Sequence, residues 1–138
     1  MLEEDTVLKM LEEYYNKDKT ILTLPDNFNE SLDNVIFPDT LQSITFGYWF
    51  DQPLNNVKFP GSLIKINFSS RYENMTINSI PFSIIELKFQ SIYKPITNLP
   101  INVKKIIIQN IKDSNLSLLK LPFGCELFDR NNEKINTY

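Results

Sequence analysis

The sequence predicts a mainly β repeat solenoid, in which each coil of about 22 residues contributes one short strand to a parallel sheet. One observation is a proline that recurs with separations of 22, 21, 19 and 22 residues, at Pro38, Pro60, Pro81, Pro100 and Pro122. A second is that apolar residues follow these repeat prolines at fixed offsets. Because a unit of this length cannot bury its apolar face alone, neighbouring units must stack.

Three apolar columns define the predicted strand of each coil. The first lies three residues after the repeat proline, at Leu41, Leu63, Ile84, Val103 and Cys125. The second lies six residues after it, at Ile44, Ile66, Leu87, Ile106 and Phe128. The third lies eight residues after it, at Phe46, Phe68, Phe89 and Ile108, and ends at Arg130. The alternation of the last two columns predicts a strand that is buried on one face, and the failure at Arg130 marks the last unit as degenerate.

The same period predicts what precedes and follows the strands. Counting back from Ile44 and Phe46 places a first strand at Thr20 to Leu24. An aromatic column lies four residues beyond the strands, at Phe28, Phe50, Tyr72 and Tyr93. Asparagines precede the repeat prolines at Asn34, Asn56, Asn78 and Asn98, and we expect some of them to be buried and hydrogen-bonded to the bending backbone.

The two ends of the chain are predicted to cap the stack as parts of one domain over residues 1–138. Residues 1–19 form the N-terminal cap, with a helix from about Leu2 to Asn16 whose apolar stripe packs on the first coil: Val7, Leu8, Leu11, Tyr14 and Tyr15. Residues 20–121 form the repeat coils, and Leu116 to Leu121 help to close the core. Residues 122–138 form a degenerate capping repeat followed by a frayed tail from Asn131.

Two segments align without gaps and resemble a known repeat. They are Phe28-Asn29-Glu30-Ser31-Leu32 and Phe50-Asp51-Gln52-Pro53-Leu54, each continued by a coil that ends in Phe-Pro. They are similar to the FNIP repeat, a leucine-rich-repeat-like unit of proteins from social amoebae and from giant viruses that infect amoebae. The resemblance implies an irregular return loop in each coil and a scaffold for protein–protein interaction without catalysis. Some relatives carry an F-box before the repeats, and we expect the 19 residues before the first strand to be too few for one.

The candidate binding surface is the outer side of the predicted sheet. Side chains that alternate with the buried ones should form two columns, the first at Ile21, Ser43, Lys65, Glu86 and Lys105. The second column is Thr23, Thr45, Asn67, Lys88 and Ile107. Trp49 follows a strand at the rim of the sheet and is the candidate hot spot, because aromatic residues dominate many interfaces. The two columns are equally compatible with strand positions that only face solvent. Trp49 is equally compatible with a residue that packs beneath the loops.

Composition and motifs disfavour several classes of function. The chain has no histidine and one cysteine, which argues against a histidine base and against a thiolate metal site, and we expect neither catalytic residue nor metal nor cofactor. Cys125 lies in an apolar column and is predicted to be a core residue. The net charge of −3 with scattered basic residues disfavours nucleic acid, and the lack of a long apolar run disfavours a membrane. We expect an intracellular protein of the host or cell cytoplasm.

The sequence therefore predicts an interaction scaffold that presents its sheet to a protein partner, as a monomer. Two alternatives remain open at this point. One is a structural or orphan viral repeat protein that self-associates. The other is the substrate-recognition part of a ubiquitin-ligase adaptor that lacks its F-box.

Overall fold

The computed structural model describes residues 2–68, 80–97 and 99–136. The helices within these residues are the α-helix α1 (Glu4–Glu12) and a short 3-10 helix at Leu116–Leu118. The described residues form seven strands in one sheet, in chain order. The strands are β1 (Ile21–Thr23), β2 (Ser43–Thr45), β3 (Lys65–Asn67), β4 (Glu86–Phe89), β5 (Lys105–Ile108), β6 (Glu126–Asp129) and β7 (Lys134–Ile135).

The first six strands pair in parallel, each with the strand of the next coil. The register partners at the strand starts are 19 to 22 residues apart, so each coil contributes one strand. A ladder of fully buried residues follows from this register: Leu22, Ile44, Ile66, Leu87 and Ile106. The predicted parallel solenoid and its buried column are confirmed.

The third apolar column forms a stack of phenylalanine rings at the strand ends. Phe68 stacks between Phe46 and Phe89, with ring centroids 5.9 and 5.3 Å apart. Phe28 and Phe50 form a second stack below them, with centroids 6.3 Å apart and rings 9° from parallel. Offset stacking of this kind adds about 0.5–1.5 kcal/mol per pair to the burial of the rings.

A β-turn precedes the strand in each coil from the second onward. Its first residue is the repeat proline, whose carbonyl accepts a hydrogen bond from the backbone N–H three residues later. Leu41, Leu63, Ile84 and Val103 occupy that last turn position and are fully buried, as predicted. Cys125 occupies it in the last coil and is half-buried against the core.

The last coil reaches the sheet one residue earlier than predicted. Leu127, and not Phe128, pairs with Ile106 and enters the buried ladder. In the preceding coils two successive N–H groups donate to one carbonyl before the strand, whereas here Glu126 N–H alone donates to the Lys104 carbonyl. The one-residue shift places Phe128 on the opposite side of the sheet.

The aromatic column also changes its offset. Phe28 and Phe50 are buried as predicted, but in the fourth coil Ile92 is buried and Tyr93 is exposed. Ile92 takes the buried position predicted for Tyr93, one residue earlier in the chain, because its N–H donates a hydrogen bond to Ser114 Oγ. Tyr72 lies outside the described residues.

The asparagine prediction is wrong where the structure tests it. Asn34 and Asn56 are exposed, and Asn34 Nδ2 donates to Glu4 Oε1 on α1 at 2.7 Å. Asn78 and Asn98 lie outside the described residues. In the return loops of Asn34 and Asn56, the buried residues are apolar neighbours such as Val35 and Leu54.

Helix α1 and the segment after it cover the free edge of β1. Val7 and Leu11 are buried in the core, and Tyr14 packs edge-on against Phe28, so the predicted helical cap is confirmed, but the helix ends at Glu12 and not near Asn16. Leu8 belongs to the predicted stripe, but it is 39% exposed because it lines an open cleft between α1 and residues 30–35. Tyr15 forms an antiparallel bridge with Leu22, which occupies the pairing groups of the edge strand.

The C-terminal end is a hairpin and not the frayed tail that the sequence predicts from Asn131. β7 pairs antiparallel with β6, with Leu127 opposite Ile135. Asp129 Oδ1 accepts hydrogen bonds from the N–H groups of Asn131 and Glu133 and so stabilises the turn between the strands. Leu116, Leu118, Leu119 and Leu121 pack against the core before this hairpin, as predicted.

Candidate partner-binding surface

The outer face of the sheet carries the residues that the sequence indicates for binding. The strand register aligns them in two columns, and the last coil adds Glu126 to the first column and Phe128 to the second. Ser43, Thr45, Lys65, Asn67, Glu86, Lys88, Lys105 and Ile107 are half-buried, because neighbouring strands partly cover one another's side chains.

Several of these side chains contact each other across the strands. Lys65 Nζ lies 2.8 Å from Glu86 Oε2, outside hydrogen-bond geometry, so the contact is an ion pair alone. Asn67 Nδ2 donates to Thr45 Oγ1 at 2.9 Å. A partly exposed ion pair contributes about 0–1 kcal/mol. These contacts fix side-chain positions more than they stabilise the fold.

The C-terminal end of the outer face is more apolar. Lys105 Nζ lies 4.7 Å from the centroid of the Phe128 ring, a cation–π distance, and Ile107 lies opposite Phe128 in the register. Lys134 Nζ pairs with Glu126 at 2.6 Å. The outer face therefore changes from polar at β2 and β3 to more apolar at β5 and β6, where Ile107 and Phe128 lie in the second column.

A groove of about 360 Å³ opens where the strands end, and we call it the strand-exit groove. Its walls come from four consecutive coils and from the loop after β1: Asp26, Thr45, Phe46, Tyr48, Asn67, Phe68, Lys88, Gln90 and Gln109. The stacked Phe46 and Phe68 form an apolar floor beneath polar walls. Three of the residues predicted for binding, Thr45, Asn67 and Lys88, therefore share one concave surface.

The rim of the groove at Tyr48 and Trp49 is held by Asp26. Tyr48 N–H donates to Asp26 Oδ1, and Trp49 N–H donates to the Asp26 carbonyl, both at 3.0 Å. This close approach requires Gly47, because a Cβ there would lie 2.3 Å from the Pro25 carbonyl oxygen. The Trp49 side chain is half exposed and packs edge-on against Tyr48, with ring centroids 4.9 Å apart. Trp49 thus flanks the groove and does not line it.

Two amide groups in the groove walls leave hydrogen-bonding capacity unused. Asn67 Oδ1 and Gln109 Oε1 are inaccessible to solvent and have no partner in the part of the chain that the structure describes. Lys88 forms no ion pair with any described residue, so its ammonium group is also available. Leaving a buried polar atom unpaired costs about 1–3 kcal/mol, and a ligand would recover this free energy only if the two side chains turned their oxygens toward the groove.

Sequence reasoning missed Gln90, Gln109 and Asp26. Gln90 and Gln109 lie nine residues after Pro81 and Pro100, one position beyond the last predicted column. Extending the columns by that one position would have placed both amides beside the phenylalanine stack. Asp26 carries no such signal, since its role depends on a close backbone approach that only the folded chain reveals.

The remaining chemistry of the described residues is sparse. No group of three or more Asp, Glu, Cys or His among them could hold a metal ion. Burial, chiefly, raises the pKa of the Cys125 thiol to about 11, and Glu126 adds to this while Lys104 opposes it. A larger cleft of about 700 Å³ lies between α1 and residues 30–35, but none of the residues predicted for binding lines it. Within residues 2–68, 80–97 and 99–136, no helix has the length and apolar character that a membrane span requires.

Parallel one-strand coils, a capped sheet and a grooved outer face define a β-solenoid repeat protein. Comparison with known families assigns the repeat itself: residues 28–71 match the FNIP Repeat model. These residues therefore carry the FNIP repeat. No curated protein and no solved structure matches the chain.

Proposed function

We propose that the protein is an interaction scaffold that binds an extended segment of a partner protein across the outer face of its sheet. The observation that carries the proposal is the strand-exit groove itself, in which Thr45, Asn67 and Lys88 form polar walls over the apolar floor of Phe46 and Phe68. The backbone N–H and C=O groups of an extended peptide can hydrogen-bond to polar walls of this kind. The repeat family and the solenoid fold favour a scaffold without catalysis.

The dimensions of the groove suit a short peptide. From Thr45 to Gln109 it crosses four strands, which are three strand spacings or about 14 Å. An extended chain of four or five residues covers that length at about 3.3 Å per residue. The apolar floor would take an apolar side chain of the segment, and Lys88 would favour an acidic one. Trp49 and Tyr48 would contact the segment where it leaves the groove.

The proposal is tested with random peptides displayed on phage and selected on the immobilised protein. Enriched peptides are then titrated against the wild type and an Asn67→Leu/Gln109→Leu double variant by fluorescence anisotropy. Binding is expected to weaken about tenfold or more, because each lost hydrogen bond contributes about 0.5–1.5 kcal/mol. Circular dichroism establishes that the variant is folded.

The control is Asn55→Leu/Asn56→Leu, which replaces two exposed amides of a return loop and leaves the groove intact. It should bind the selected peptides like the wild type. Equal binding by the groove variant would place the peptide site elsewhere. Failure to enrich any peptide would argue against an extended-segment ligand.

A further inference from the structure

An exposed apolar surface lies at the opposite end of the strands from the groove. The residue after the repeat proline forms the tip of each entrance turn, and in the last three coils it is apolar: Phe82, Ile101 and Phe123. Their exposed fractions are 75%, 63% and 91%. We call these three residues the turn-tip ridge.

The ridge is not required by the fold. The same turn position holds Asp39 in the second coil and Gly61 in the third, and both coils form the same turn and strand. Turn tips ordinarily carry polar residues or glycine because they face water. Three consecutive apolar tips therefore cost solubility without adding to the core, which is typical of an interaction surface.

Hydrogen bonds join the three tips to one another in the free chain. Asn102 Nδ2 donates to the Phe82 carbonyl at 2.8 Å and so joins the first two tips. Lys104 Nζ donates to the carbonyls of Ile101 and Phe123, at 3.0 and 3.3 Å, and joins the second tip to the third. The ordering of these turns is complete in the free chain, so association does not have to supply it.

We propose that the ridge packs against the ridge of a second copy of this chain in an antiparallel, two-fold symmetric dimer. The ridge is symmetric about its centre, with a phenylalanine on either side of Ile101. A two-fold axis at Ile101 therefore places Phe82 against Phe123 of the second copy and Ile101 against its own equivalent, which is the self-complementarity that a symmetric interface requires.

The charge and the exposed area of the turn-tip ridge are consistent with a second copy of the chain as its partner. The middle turn positions after the tips are the uncharged Ser83, Asn102 and Gly124, and the one charge beside the tips, the Lys104 ammonium, is hydrogen-bonded to two backbone carbonyls. At about 200 Å² for a whole large side chain, the tips expose about 450 Å² per copy. That is more than half of the roughly 800 Å² per partner in a standard interface, which predicts a weak dimer. An anionic bilayer is disfavoured by the net charge of −3 and by the engagement of Lys104.

The dimer is tested by sedimentation equilibrium over a wide range of protein concentration. The wild type should pass from monomer to dimer, and a Phe82→Asp/Ile101→Asp/Phe123→Asp variant should dissociate at least tenfold more readily. Asp39 shows that this turn position accepts aspartate without loss of the turn. The control is Ile36→Asp, which changes an equally exposed isoleucine outside the ridge and should leave the dimer intact.

Symmetry is tested by oxidative cross-linking in a Cys125→Ser background. Ile101→Cys should cross-link to itself, whereas Phe82→Cys should cross-link to Phe123→Cys in a mixture and poorly to itself. A wild type that stays monomeric at every concentration, or a dimer that survives the triple aspartate variant, would overturn the proposal. Capture of the wild type by anionic vesicles, lost in that variant, would replace the second copy with a bilayer. The ridge and the groove share no residue, so this outcome is independent of peptide binding.

Discussion

Single residues decide how closely the coils can approach. Gly47 is the clearest case, because a Cβ added there would overlap the backbone of Pro25 and Asp26 at 2.3 to 2.7 Å. Neither the glycine nor the backbone it touches can move without displacing the hydrogen bonds of Tyr48 and Trp49 to Asp26. The rim of the groove therefore depends on the absence of one carbon atom.

Gly47→Ala should lower the free energy of unfolding by about 2 kcal/mol or more, since the clash is with backbone and not with a flexible side chain. Gly61→Ala is the matched comparison, because no atom lies within 4 Å of its added Cβ, and a change of about 0.5 kcal/mol in either direction is expected. Urea unfolding of the two variants measures both values. Equal stability of the two would show that the first and second coils can separate at Pro25 without cost.

Cys125 should react slowly with alkylating reagents. Its pKa of about 11 lies well above the ordinary thiol value of 9.0, so at neutral pH the thiolate is roughly a hundredfold less populated than in an unperturbed thiol. Iodoacetamide should modify the folded protein about that much more slowly than the protein in denaturant. The rate should rise as the pH approaches 11, because the raised pKa stabilises the thiol form below it. Fast modification of the folded chain near neutral pH would contradict the buried environment.

At the level of the element, the caps carry more of the stability than their length indicates. Helix α1 has nine residues, and only Val7 and Leu11 of it are buried. An isolated helix this short is marginal in water, so α1 exists because its buried side chains pack on the first coil. In return it covers apolar surface that would otherwise be open at the start of the stack.

Leu11→Ala should therefore cost about 2–5 kcal/mol, because the side chain is 1% exposed and its removal leaves a cavity. Leu8→Ala, on the exposed side of the same helix, should cost less than about 1 kcal/mol. Thermal unfolding followed by circular dichroism compares the two. A similar small loss for both would mean that the helix is not coupled to the core.

The elements could be predicted from the sequence wherever the repeat kept a constant offset. Strands β1 to β5 and their buried ladder follow directly from counting residues between prolines. The prediction failed at Phe128 and Tyr93, which lie in two different coils that each shorten their path by one residue. Counting columns assumes that every coil uses the same number of residues between its proline and its buried positions. The positive φ of Gly124 and the hydrogen bond from Ile92 to Ser114 alter that number, and neither can be read from the residue spacing.

At the level of the whole molecule, the candidate site was only partly predictable. The outer columns are a property of strand alternation, so the sequence alone was enough to place Thr45, Asn67 and Lys88 on the outer face of the sheet. The concavity that joins them to Gln90 and Gln109 arises from the stacking of four coils beyond the strand ends. No pattern within a single coil encodes that stacking, and the same holds for the exposed ridge at the other end of the strands.

The two ends of the sheet have a consequence for how such a protein can grow. The residues next to β1 and the strand β7 both run antiparallel to the stack they close. A unit duplicated between β1 and β6 would lengthen the sheet by about 4.8 Å and leave both ends unchanged. A unit appended beyond β7 would meet a two-residue strand of the wrong direction. Gene duplication can therefore extend this repeat array from its interior, but not by addition at its C-terminal edge.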